Sequence, residues 1–205
     1  MCGKCAKACI FKAREICGKE YSLDAVIDEI LKDKRLYDSS GGGVTFSGGE
    51  CMLQIDALES LLKQCKMRGI NTAVDSAGNL PYKYFERILE YTDLFLYDIK
   101  LFDSKKHEKH TGVTNELILE NLNRLLNTKA NIWIRIPIIS EVNDTEEEMK
   151  NIKDFLSKCK RYPERVELLP YHNLGEHKYE ALRRDAVRFF APSKEKIGKL
   201  KSIFK

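Results

Sequence analysis

Apolar positions along the chain recur with two periods that alternate. Short β-branched and aromatic runs mark strands, and between them apolar residues return every three or four positions, as on one face of a helix. The first strand expected is Val44-Thr45-Phe46, read as buried, followed by a helix-forming run from Met52 to Met67 that ends at Gly69, a natural position just past a helix end. Asn71 to Asp75 is the next strand and Pro81 to Tyr91 the next helix. Leu94 to Asp98 is a third strand, with helices over Ser104 to His110 and Asn115 to Asn127. Asn131 to Pro137 is a fourth, with its helix over Thr145 to Lys158. Arg165 to Leu169 is a fifth, running out into Pro170-Tyr171-His172, and an amphipathic stretch from Ser193 to Phe204 follows. Ahead of this rhythm, Tyr21 to Tyr37 reads as a helix capped by Ser22, with Leu23, Val26, Ile27, Ile30 and Leu31 on one face, broken by Asp38-Ser39-Ser40-Gly41.

Five apolar strands alternating with helices mean parallel βαβ units with right-handed connections, an α/β fold. An open doubly wound sheet and a (β/α) barrel both fit. No G-x-G-x-x-G follows the first strand, which removes the best support for dinucleotide binding.

Composition narrows the classes. A chain of 205 residues accommodates one domain with a real core, alone or with a small appendage. The net charge of +4 comes without a Lys/Arg block interleaved with aromatics, so a dedicated nucleic-acid binder is not expected. No apolar run approaches the roughly 18 residues of a membrane span, and no signal-peptide core is present; a cytoplasmic protein is expected. The seven cysteines are the anomaly, because an odd count without a secretory leader argues against a disulfide framework. Four of them, Cys2, Cys5, Cys9 and Cys17, fall in the first 17 residues and point to metal. Cys2, Cys5 and Cys9 have the spacing C-x2-C-x3-C, the second half of a bacterial ferredoxin ligand run, and Cys17 can complete a set of four thiolates. An iron–sulfur site is favoured over zinc, and a frayed terminus of reduced thiols is the plain alternative. The nearby Lys4, Lys7, Lys12 and Arg14 read as a solvated surface before a dock for an acidic electron donor. Cys51, Cys65 and Cys159 read as small core residues or thiols of no special role.

Candidate chemistry gathers at the strand ends, where barrel-type proteins place it. The first strand ends in Ser47-Gly48-Gly49-Glu50, a turn whose paired glycines let a ligand approach the backbone, with one carboxylate beside it and a helix start behind it. The second ends in Asp75, the third in Asp98-Ile99-Lys100, the fourth carries Arg135 and the fifth leads to His172. Such a rim suits a small zwitterion with a hydroxylated ring system. His107 and His110 are expected on a solvated helix face, since the HExxH spacing is absent, and Phe46, Tyr97 and Trp133 are expected in the core.

The runs GGGVTFSGGE, TAVDSAG, LFLYDIK, TGVTNELILENL, IRIPII with Val142-Asn143-Asp144, and LLPYHNLGEHKYEAL occur in order after Cys2-Gly3-Lys4-Cys5. Together, over nearly the whole chain, they resemble the glycyl-radical-enzyme activating enzymes of the radical S-adenosylmethionine (SAM) superfamily, a group similar to the pyruvate formate-lyase-activating enzyme. The resemblance implies a partial (β/α) barrel that binds SAM across its strand ends. It implies reductive cleavage of SAM to a 5′-deoxyadenosyl radical, which abstracts hydrogen from a glycine of a partner glycyl radical enzyme, with a flavodoxin or ferredoxin type reductant. By the same resemblance, Gly48, Gly49 and Glu50 receive the SAM amino group, and Asp98-Ile99-Lys100 engages its carboxylate and a cation. Asp75 belongs to that cation site, His172 lies near the nucleoside and Arg135 is an anion contact. Residues 1–20 resemble a ferredoxin-like [4Fe-4S] insert, and 21–205 the barrel core. One departure stands out: the family's radical cluster uses C-x3-C-x2-C after a first barrel strand, and this chain has neither. An N-terminally truncated parent is therefore expected, with a non-catalytic SAM- or partner-binding module and a zinc-stabilised domain as alternatives.

Overall fold

The computed structural model describes residues 2–185 and 188–205. Its strands β1 (Gly43–Phe46), β2 (Asn71–Ser76), β3 (Leu94–Asp98), β4 (Ile132–Ile138) and β5 (Arg165–Pro170) form one sheet in chain order, each parallel to the next. An unreversed order puts every right-handed crossover on the same face, unlike the doubly wound alternative. The crossover helices are α4 (Ile55–Met67), α5 (Lys83–Ile88), α6 (Ser104–Thr111), α7 (Glu116–Leu126) and α8 (Glu146–Lys158), with α10 (Lys194–Ser202) after β5. Before β1 lie α1 (Lys4–Lys7), α2 (Leu23–Leu31) and α3 (Lys34–Ser40), and the short α9 (Glu176–Ala181) precedes α10.

Burial alternates strictly along the central strands. Thr72, Val74 and Ser76 of β2, Phe95 and Tyr97 of β3, and all four isoleucines of β4 are buried. They meet Leu58, Leu62, Phe85, Leu122, Leu125, Met149 and Ile152 from the helices in one core. The residues between them, among them Asp75, Leu96, Asp98, Trp133 and Arg135, are half-buried and share the other face. That open, polar-lined face is where a ligand can reach the strands. A second cluster joins Ile27 and Ile30 of α2 to Leu61 and Cys65 of α4 and to Ile70. Ser22, Asp103, Thr145 and Ser193 each accept a backbone N–H as helix caps.

Several expectations need correcting. Val44-Thr45-Phe46 is a half-exposed strand at the edge of the sheet, since β1 pairs only with β2 among the described residues. The helix expected over Tyr21 to Tyr37 is two, and the second runs through Asp38-Ser39-Ser40, whose serine hydroxyls donate to the Leu36 carbonyl; Gly41, at φ 68°, ends it. The run after Glu50 opens with a 3-10 turn, Cys51–Gln54, before α4. His107 is buried, its Nδ1 2.7 Å from the Val113 carbonyl oxygen, while His110 is exposed. Among the described residues, no helix is long and apolar enough to cross a membrane.

Candidate functional site

The turn after β1 is built around Glu50. Its Oε2 accepts from the Ser76 hydroxyl at 3.0 Å and from Ala77 N–H at 3.0 Å, and its Oε1 accepts from Met52 N–H at 3.3 Å. These donors lock the carboxylate between the ends of β1 and β2. A carboxylate has about four acceptor positions, so one remains for a ligand. Among the described residues no cationic side chain pairs with it. Gly48 adopts φ 135°, which a side chain would strain, and a Cβ built on Gly48 or Gly49 meets nothing within 4 Å, so the backbone here is open to an incoming group.

Register assembles the remaining charges. Phe46 pairs with Val74, which brings Ser47 beside Asp75, and the Ser47 hydroxyl donates to Asp75 Oδ2 at 2.9 Å. Asp98 pairs with Arg135 across β3 and β4. The Arg135 guanidinium bridges Asp75 Oδ1 and Asp98 Oδ1, the latter at 2.9 Å, and Lys100 Nζ reaches Asp98 Oδ2 at 3.0 Å. Asp75, Asp98 and Arg135 are each about one-fifth exposed, so their mutual pairing is weakly screened, whereas Lys100, at 38%, keeps donors facing solvent. Expected carboxylates and cations therefore meet at one rim: Glu50, Asp75, Asp98, Lys100 and Arg135. The positive charge that faces Asp75 and Asp98 in this structure is Arg135 itself.

Two expected site residues lie elsewhere. The Ile99 side chain is buried in the core, and only its N–H, donating to the Arg135 carbonyl at 3.0 Å, serves the rim. His172 is exposed beyond β5, in the wall of a cavity of about 470 Å³ shared with Tyr171, Asn173, Glu176, Phe189 and Phe190, and no hydrogen bond or ion pair between described residues ties it to Asp98 or Glu50. Cys2, Cys5 and Cys17 are exposed, and Cys9, half-exposed, accepts from Ala13 N–H at 3.3 Å. Among the described residues no three His, Cys, Asp or Glu side chains gather as a metal-holding set. Cys51, expected to be incidental, sits within the site, with Sγ 3.5 Å from the Phe46 and Asp75 carbonyls. Burial, then the charges of Glu50 and Asp75, pushes its thiol up to about 11, so it stays protonated at neutral pH.

Sequence reading missed the residues that hold the rim from behind. Asn143 donates to the Lys100 and Pro137 carbonyls, both at 2.7 Å, and accepts from Ile139 N–H at 2.8 Å. Glu148 accepts from Phe102 N–H, and Asn115 and Asn121 grip two rim loops from α7. The signal was present at Asn121: an amide stands on the same helix face as Ile118, Leu122 and Leu125, where periodicity calls for an apolar side chain.

Comparison with known proteins gives the family of the chain. Residues 3–156 match the Radical SAM superfamily. The chain is 45% identical over 197 residues to a trans-4-hydroxy-L-proline dehydratase activating enzyme of Clostridioides difficile, covering 94% of this chain and 65% of that protein. It is 40% identical over 190 residues to a pyruvate formate-lyase-activating enzyme of Clostridium pasteurianum, covering 92% of this chain and 79% of that one. A crystal structure of a domain of pyruvate-formate lyase-activating enzyme from Bacteroides vulgatus superposes with a TM-score of 0.68 at 34% identity, over 79% of this chain and 92% of that domain. The chain thus spans just under two thirds of the Clostridioides protein, and 56% of a choline trimethylamine-lyase activating enzyme of Oleidesulfovibrio alaskensis to which it is 40% identical.

Proposed function

The chain belongs to the radical SAM superfamily and, within it, to the activating enzymes of glycyl radical enzymes, and from that premise we propose that its rim holds SAM for hydrogen abstraction from a glycine of a partner glycyl radical enzyme. The observation that carries the reading is the pair Glu50 and Lys100. One is a fixed carboxylate with a free acceptor position and no cationic partner among the described residues, the other a half-exposed ammonium on the same rim. Glu50 takes the amino group and Lys100 the carboxylate, while Gly48 and Gly49 leave room for close approach. Asp98 aims Lys100 and, with Asp75, fixes Arg135; His172, which stands apart from this rim, is assigned to the nucleoside by likeness to the family alone. Bound SAM would supply, on taking one electron and releasing methionine, the 5′-deoxyadenosyl radical for abstraction of the glycine hydrogen. The chain's own residues bind and orient SAM, and they include no C-x3-C-x2-C run to deliver the electron.

The spacing of Cys2, Cys5, Cys9 and Cys17, in residues 1–20 ahead of a barrel core over 21–205, suits an auxiliary [4Fe-4S] cluster of ferredoxin type, but the four thiols do not converge in this structure and would have to come together to hold it. A flavodoxin or ferredoxin would serve as reductant, and an odd cysteine count clustered with metal-ligand spacing suits the cytoplasm. Anaerobic iron–sulfur reconstitution followed by dithionite and SAM tests the activity. 5′-Deoxyadenosine above the level of a Glu50→Gln control is expected if these residues complete a working site. SAM binding without product would reassign the chain as a SAM-binding module, and failure to bind SAM would overturn the reading.

A further inference from the structure

Helix α7 packs on the helix-covered face of the sheet, yet it reaches two separate loops of the rim. Asn121, fully buried, donates through Nδ2 to the Gly78 carbonyl at 2.8 Å and the Leu80 carbonyl at 2.7 Å. Asn115, also buried, stands at the start of the helix without capping it. Its Nδ2 instead donates to the Leu101 carbonyl at 2.9 Å and the Phe102 carbonyl at 2.7 Å. Between them, the Ile118 carbonyl accepts the Tyr97 hydroxyl at 2.7 Å, and the Tyr97 ring closes on Gly78, where a Cβ would lie 1.9 Å from its oxygen. Each gripped loop carries one end of the candidate site. The end of β2 and the loop after it fix Glu50 through Ser76 and Ala77, and the loop after β3 carries Lys100.

The cost of Asn121 argues that its donors matter. Its Oδ1 is buried with no hydrogen-bond partner among the described residues, a loss of about 1–3 kcal/mol for such a group. Leucine, of similar volume, would fill the position with no orphaned atom and would join Leu122 and Leu125 in the core. What leucine cannot do is donate to two carbonyls of a rim loop.

We infer that α7 is a bracket that sets the spacing between Glu50 and Lys100. Asn115 and Asn121 are positioning residues that make the site selective for a ligand carrying both an amino and a carboxylate group. The inference rests on the SAM reading of the rim, and it deepens it by naming what holds the two charges at a fixed separation. Pre-aligned charges spare the ligand the ordering of two loops, a gain available only to a molecule that engages both.

The test measures equilibrium binding of two probes, SAM and 5′-methylthioadenosine, which keeps the nucleoside and lacks the amino acid. Proteins compared are the wild-type chain, Asn121→Leu, Asn115→Ala, and Leu125→Ala as a control that destabilises the same helix without touching either loop. Asn121→Leu and Asn115→Ala are expected to weaken SAM roughly tenfold, the scale of one lost hydrogen-bonding group, and 5′-methylthioadenosine less than about twofold. Leu125→Ala is expected to lower Tm and leave the SAM Kd in place. Equal loss of both probes, unchanged SAM affinity in the asparagine variants, or a matching loss in Leu125→Ala would overturn the bracket. If the wild-type chain binds neither probe, the SAM reading fails, and hydrogen exchange decides the bracket by itself. Faster exchange at Ala77 and Gly78 in Asn121→Leu, with β2 and β3 unchanged, upholds it, and unchanged exchange sinks it. Should Asn121→Leu fail to fold, Asn115→Ala carries the same comparison.

Discussion

Arg135 shows how much of the rim depends on single charges. It is the cation between Asp75 and Asp98, each about one-fifth exposed. Replacing it by leucine leaves Asp75 without a cationic partner among the described residues and Asp98 with Lys100 alone. The expected cost is about 2 kcal/mol in urea unfolding, recovered in part by adding Asp75→Asn, because the penalty lies in the unpaired charge left behind. The two kinds of glycine in the site separate by experiment. Gly78, at φ 76° and against Tyr97, should lose about 2–4 kcal/mol on substitution by alanine, read as a drop in thermal unfolding temperature. Gly49→Ala meets no neighbour, so stability should stay within about 0.5 kcal/mol while SAM binding weakens, as expected where open backbone serves a ligand. The charged members of this rim were legible in the sequence because strand ends are where such residues stand out. Their supports were not, because Ser76 acts on the Glu50 carboxylate and Asn115 and Asn143 on backbone carbonyls, partners that only the folded chain brings near.

Among elements, α8 and β1 are instructive in opposite ways. The span of α8 was readable from Thr145 and the apolar spacing of Met149, Ile152 and Leu156, but Glu148, which reads as surface, is buried beneath the loop after β3. Burial raises its pKa, against the opposing pull of the Phe102 N–H and of Lys106, while Asp103 and Glu147 add to the rise. A raised folded pKa contributes stability that is full below the ordinary carboxylate value and is lost as pH rises through the folded value. Glu148→Gln keeps an acceptor for Phe102 and has no charge to bury. It should raise Tm at pH 7 and give little gain near pH 4; an equal gain at both values would remove burial as the cause. Strand β1 was found from three residues, yet its burial was misjudged. Its β-branched and aromatic content is the same for a central strand as for an edge, and only the pairing of strands in the folded sheet distinguishes them. The 3-10 start after Glu50 was hidden likewise, since Glu50 caps it from a conformation that local propensity does not report.

Across the whole molecule, the strand–helix rhythm specified an α/β fold with five parallel strands, and the unreversed strand order decided between the two topologies it allowed. That order leaves one face of the sheet to helices and the other to the half-buried charges, so fold and site follow from the same alternation along β2, β3 and β4. Residues 10–22 carry four exposed large apolar side chains, Ile10, Phe11, Ile16 and Tyr21, and their cysteine-bearing approach was read from spacing alone. In the proposed complex Glu50 and Lys100 grip the two ends of one zwitterion. This grip is tested most directly by calorimetric binding of SAM to the wild-type chain, Glu50→Gln and Lys100→Met. Saturable binding to the wild type is expected, with roughly tenfold or greater weakening in each variant and 5′-methylthioadenosine affected little. Wild-type binding that neither substitution weakens, or no binding at all, would contradict it.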